Sequence, residues 1–235
     1  MPDQLNDSPH EPGGSPGQES ESDSPGCLPA VVAGTLLMLI VAFVLCGVTT
    51  WFLFQKRTEI AARSLQGFIP NIEQSLLEPE DKARVIEQLE TLIQQMRDPN
   101  YDPARAAAIM QRIVRLPIPH WGELDAVESF VRKNFEDDEK EAAIKNLSRA
   151  RRAIEMNQAT VFDIVDVLEP VAVVDDTPIG RSLKTKLTRQ DVDDVVVRAK
   201  RLADRARIPD QTFDRVDMAD ILAREIQTAK TEGGF

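Results

Sequence analysis

The chain has 235 residues and a net charge of −11, from 39 acidic and 28 basic side chains. Recognition of nucleic acid rests on a basic face, so no nucleic-acid partner is expected. The two cysteines, Cys27 and Cys46, both lie near the N-terminus, which excludes a disulfide framework and a thiolate-based zinc or catalytic cluster from everything that follows.

Met1 to Gly26 is rich in Pro, Ser and Gly, has no aromatic residue, and carries Asp3, Asp7, Glu11, Glu19, Glu21 and Asp23 without a basic partner. Its apolar surface is too small to offset the entropy of ordering, so a disordered acidic tail is predicted. The tail's six negative charges leave −5 for the region after residue 54, an evenly mixed balance that suits a solvated helical surface.

Residues 27–54 read as a transmembrane helix. Leu28 to Phe54 has no charge, and a helix of that length reaches roughly 40 Å against a hydrocarbon core of about 30 Å. Thr35, Thr49 and Thr50 interrupt it, and threonine hydroxyls bond back to helix carbonyls. A cleaved signal peptide has a shorter apolar region behind a basic stretch, whereas no Lys or Arg precedes Lys56. The chain is therefore expected to be a single-pass membrane protein with the lipid bilayer as its first partner. Lys56, Arg57 and Arg63 follow the span closely, which places the N-terminus outside and the C-terminal domain in the cytoplasm; Trp51, Phe52 and Phe54 suit an interfacial belt on that side. Ala30 with Gly34 and Ala42 with Cys46 are small-xxx-small pairs that permit close helix packing, making a homodimer a candidate.

Residues 55–67 have no helix breaker before Gly67 and read as a juxtamembrane helical stalk, with Lys56, Arg57 and Arg63 placed to meet anionic headgroups at about 1 kcal/mol per basic residue. Residues 68–174 read as a helical bundle. After a short helical turn at Ile72 to Leu77, Pro79 opens a helix with a stripe of Val85, Ile86, Leu89, Leu92, Ile93 and Met96. That stripe is too wide for a two-stranded seam, and it fits a globular bundle. Asp102 and Pro103 cap a helix that buries Ala106, Ile109, Met110, Ile113 and Val114; Leu116 to Pro119 is an extended connection. The next helix starts near Trp121, with Leu124, Val127, Phe130 and Val131 inward. Asp137-Asp138-Glu139 opens another that buries Ala143, Leu147, Ala150 and Ile154.

Thr160 and Asp163 form a capping box before Ile164, Val165 and Leu168, and Pro170 ends that helix. With no second strand-like segment in view, Val171 to Val174 reads as an apolar connection. Residues 175–187 are a loop or hinge. Residues 188–232 read as a C-terminal helical hairpin: Thr188 and Asp191 repeat the capping box before Val192, Val195, Val196, Ala199, Leu202 and Ala203. Pro209 ends that helix, and Val216, Ile221, Leu222 and Ile226 lie on the last one. The fold class is all-α.

No GxxxxGK, HExxH or GxSxG pattern occurs, so no catalytic, cofactor-binding or metal residue and no cofactor is assigned. Arg149, Arg151 and Arg152 read as a solvated helix end favoured by the dipole, with a phosphate or acidic-partner site as the sharper alternative. Arg181 to Arg189 (RSLKTKLTR) reads as a solvated basic loop, with anionic lipid or an acidic partner as its alternative. Asp137-Asp138-Glu139 and Asp193-Asp194 read as solvated helix positions, and His120-Trp121 as a packed corner. The function expected is that of a membrane-anchored protein-interaction scaffold, adaptor or regulator with a protein partner. The competing classes are a membrane-tethered enzyme with an unrecognised carboxylate site and, with inverted topology, an extracytoplasmic ligand-binding domain. Shifted carboxylates clustered in a cleft favour the enzyme, an apolar surface patch the adaptor.

Overall fold

The computed structural model describes residues 28–176 and 180–232. The acidic-tail reading, Cys27, residues 177–179 of the expected hinge and the terminal Gly233-Gly234 lie outside them. The chain divides into two compact units, residues 1–50 and 51–235.

The long apolar helix α1 (Leu28–Gln55) lies for most of its length in the first unit. Val31–Trp51 has a mean hydropathy of 2.8, and none of this stretch is buried against protein. Thr35 and Thr50 donate to the carbonyls of Val31 and Cys46, each at 2.8 Å, so their hydroxyls are satisfied within the helix. By length and composition this helix is able to cross a membrane.

The second unit is a helical bundle: α2 (Arg57–Glu73), α3 (Pro79–Met96), α4 (Pro103–Ile113), α5 (Trp121–Asn134), α6 (Asp137–Glu155), α7 (Val161–Val167), α8 (Arg189–Arg205) and α9 (Met218–Glu232). Short 3-10 turns at Ile118–His120 and Glu169–Val171 precede α5 and follow α7. Helix α2 packs on α3 and α4, α9 on α3 and α4, and α6 on α5 and α8. Trp121, Leu65, Ile72, Leu89, Leu124, Leu147 and Ile164 are among the fully buried side chains.

The local signals act as read. Pro79 sits in the first turn of α3, and Asp102 accepts from the Ala104 N–H at 2.9 Å. Both threonine capping boxes are closed.

Several expectations are corrected. The stalk does not end at Gly67: α2 runs on through Gly67 and Pro70 to Glu73, and Ala61, Ala62, Leu65 and Ile72 bury into the core. An interior proline costs about 3 kcal/mol, while each fully buried Leu or Ile contributes roughly 1.5–3 kcal/mol, so packing carries the helix past the breaker. Ile72 thus lies in the last turn of α2, and the chain from Leu76 to Glu78 has no regular structure. Ile118 to His120 forms a 3-10 turn where an extended connection was expected. Val114 was expected inside and is 60% exposed, because α4 has ended at Ile113.

Residues 172–174 are a strand after all: β1 (Ala172–Val174) pairs antiparallel with β2 (Arg181–Leu183), Ala172 opposite Leu183 and Val174 opposite Arg181. Nor do α8 and α9 form the expected hairpin. The connection from Ala206 to Asp217 is long, with Arg207 at φ 56, and it lets each helix take a different partner. Asp81 on α3 fixes the start of α9, accepting from Met218 N–H at 3.0 Å and Ala219 N–H at 2.8 Å.

Candidate functional site

The basic cluster on α6 is buried where a solvated end was expected, with Arg149 and Arg151 only 3% and 6% exposed. The Arg149 guanidinium donates to Asp204 at 2.7 Å and to the carbonyls of Ile208 and Pro209 at 2.8 and 3.0 Å. Arg151 donates to Asp125 at 2.8 Å and to Glu128, and lies 5.9 Å from the Trp121 ring centroid. Arg152 pairs with Glu155. The terminal nitrogens of the buried Arg149 and Arg151 are engaged by the protein's own acceptors, so these two guanidiniums are structural ties and do not support a phosphate site.

The RSLKTKLTR segment is tied down in the same way. Lys184 donates to Asp191 at 2.9 Å and to the Pro170 carbonyl at 2.7 Å. Arg189 meets Glu139 at 2.6 Å with its guanidinium 3.5 Å from the Phe135 ring centroid. Asp193 also faces Arg189, while Asp137 pairs with Lys140. Lys56 and Arg63 behind the span both pair with Glu59. Among the described residues, no three His, Cys, Asp or Glu side chains are grouped to hold a metal ion.

Two concavities stand out by size or lining. The larger, about 710 Å³, is walled by Lys56, Glu59, Arg63, Gln66 and Arg97 and is a polar notch. The smaller, about 390 Å³, is apolar and lies between α2, α4, the turn before α5 and the start of α7. Leu65 and Phe68 come from α2, Met110 and Ile113 from α4, and Leu116, Pro119 and Val161 close it. The Val161 N–H donates to the Arg115 carbonyl at 2.7 Å, clamping the start of α7 beside the end of α4. A site is favoured by apolar walls with few polar groups, so this smaller groove is the candidate.

His120 lines the groove and is 5% exposed. The 3-10 turn and the start of α5 put Glu123 one helical turn away, and His120 Nδ1 lies 3.3 Å from its Oε2. Glu123 is also 5% exposed, and the Arg181 guanidinium stands 3.8 Å behind it. A carboxylate only accepts, so it holds the imidazole proton on Nδ1 and leaves Nε2 as an acceptor. Nε2 has no hydrogen bond to any described residue. The packed-corner reading of His120-Trp121 is thus right for Trp121, which is 1% exposed, and incomplete for His120. The i,i+3 spacing of His120 and Glu123 was a visible signal; Arg181 gave none.

Compared with protein-family models, curated proteins and solved structures, the chain matches none.

Proposed function

We propose that this protein is a single-pass membrane-anchored interaction module, a scaffold, adaptor or regulator that holds a partner protein at the bilayer. The observation that carries the reading is exposed apolar surface on the segments that form the groove: Val114, which lines it, is 60% exposed, and Phe162, the residue after the lining Val161, is 81% exposed. Large exposed apolar side chains beside a preformed groove are what partner-binding surfaces present. The apolar α1 supports tethering, and the cations after it support a cytoplasmic domain with the N-terminus outside.

The enzyme alternative calls for shifted carboxylates in a cleft. Burial pushes Asp125 up, but it is bound to Arg151 and Arg215 and does not line the groove.

The test places a photoreactive benzoylphenylalanine at Phe162 in the full chain in its native membrane. A discrete protein crosslink is expected there, lost with Val114→Asp, and absent when the same label replaces exposed Val197 on α8. Equal, diffuse labelling from both positions defeats the reading.

A further inference from the structure

The groove and its histidine point beyond protein docking. We infer that the groove between α2 and α4 binds a single-chain amphiphile, an aliphatic chain ending in a protic head of the fatty-acid class, with the head on His120 Nε2.

Size comes first. About 390 Å³ falls at the low end of the roughly 300–1,000 Å³ of small-molecule pockets. A docked helix would need an interface on the order of 1,000 Å², so the interior suits a chain, and the exposed Val114 and Phe162 suit a protein. The chain reading uses the interior walls and His120, the protein reading the exposed apolar residues beside them, and the two share only Val114.

Chemistry comes second. Leu65, Phe68, Met110, Ile113 and Val161 offer methyl, methylene and ring surface, which is favourable for a hydrocarbon at roughly 25 cal/mol per Å² buried. Nε2 of His120 makes no hydrogen bond to the described residues and is not sealed from solvent, in a side chain 7% exposed, so a ligand that fills the groove displaces water from it and has to replace that hydrogen bond. A ligand that brings a proton to Nε2 satisfies it. A carboxylic acid does so as the neutral acid donating O–H to Nε2. It also does so after the proton has moved, as a carboxylate accepting from Nε2–H, with Glu123 facing the imidazolium on its other side. The proton is conserved in both forms, and no other reactant enters. A plain alkane fills the walls and leaves Nε2 unmet.

The test uses the full chain in phosphatidylcholine nanodiscs with isotope-labelled histidine. The chain has two histidines, so His10 serves as the internal control for bulk pH and non-specific effects. Titration with dodecanoic acid is expected to shift the His120 imidazole signals saturably while His10 stays still, whereas dodecane leaves both unchanged. Met110→Trp, which fills the groove, is expected to abolish the shift with the helical circular dichroism retained. His120→Gln is expected to weaken binding of carboxyl-labelled dodecanoic acid about tenfold. The unmodified protein alone can overturn the proposal: it fails if His120 does not respond, if dodecane shifts it equally, or if His10 moves in parallel. A saturable shift that persists in folded Met110→Trp also overturns it.

Discussion

A methyl group on Gly122 would lie 2.1 Å from the Leu76 carbonyl carbon and 2.4 Å from the Leu77 nitrogen. The first turn of α5 therefore runs directly against the backbone that joins α2 to α3, and only a residue without Cβ fits. Gly122→Ala is expected to lower stability by roughly 3 kcal/mol, because backbone must move and no flexible side chain can yield. Gly67 is the counterpart. A Cβ there meets nothing within 4 Å, and the residue is exposed inside α2. Gly67→Ala should raise stability by about 0.5–1 kcal/mol. Denaturant midpoints of the two variants should move in opposite directions from that of the parent.

Arg149 joins α6 to the end of α8 through three acceptors. Removing it takes the donor from the Ile208 carbonyl, leaves the Pro209 carbonyl only the Gln211 N–H, and opens space in a buried site, so Arg149→Ala is expected to cost about 2–4 kcal/mol. Lys200 contacts the same Asp204 from the surface, and Lys200→Ala should cost less than about 1 kcal/mol. Arg149→Lys should recover little, since one ammonium cannot reproduce a planar fork. Urea titration followed by circular dichroism ranks the three.

The contrast between those two cations shows what the sequence carried. Capping boxes at Thr160 and Thr188, the Asp102 cap and the stripe from Val85 to Met96 were legible because each is settled within one or two turns of helix. The burial of Arg149 was not, because its acceptors are supplied from Asp204, Ile208 and Pro209, far along the chain. Strand β2 was hidden for a related reason: Arg181, Ser182 and Leu183 have no alternating apolar pattern, and only pairing with β1 makes them a strand. The groove was half legible. His120 and Glu123 are neighbours at helical spacing, but Leu65 and Phe68 arrive from a segment read as stalk and the adjoining start of the bundle.

Acid should weaken the domain in a defined window. The Thr188 hydroxyl, followed by Lys184, holds the Asp191 carboxyl below its usual range, and Lys200 followed by Arg149 does the same for Asp204. Burial would raise Glu128, but Arg151 and Arg132 outweigh it and the net shift is downward. Each binds fewer protons folded than unfolded, so its stabilisation is complete above an ordinary carboxylate pKa of about 4 and is lost as pH falls through the lower folded value. Asp125, raised by burial, has the opposite sign: its contribution is present below the ordinary value and is lost as pH rises. Urea midpoints should therefore drop below about pH 4, and Asp191→Asn with Asp204→Asn should flatten that drop while lowering stability at neutral pH.

The last prediction concerns the anchor, and the two cysteines make it testable without mutation. Cys46 is exposed on α1, so only a covering bilayer would shield it from a water-borne reagent. Cys27 precedes the apolar helix and lies outside the described residues; on the positive-inside reading it sits at the outer membrane surface. A membrane-impermeant maleimide is expected to label Cys27 on intact cells, or on spheroplasts where an outer membrane is present, and to reach Cys46 only after denaturing detergent. Labelling of Cys46 in intact membranes would remove the transmembrane reading itself. Labelling of Cys27 only after lysis, with the thiol shown beforehand to be reduced, would invert the topology and place the helical domain outside. In that case the groove on α2 and α4 would face extracytoplasmic ligands, and a cytoplasmic partner at Phe162 would be ruled out.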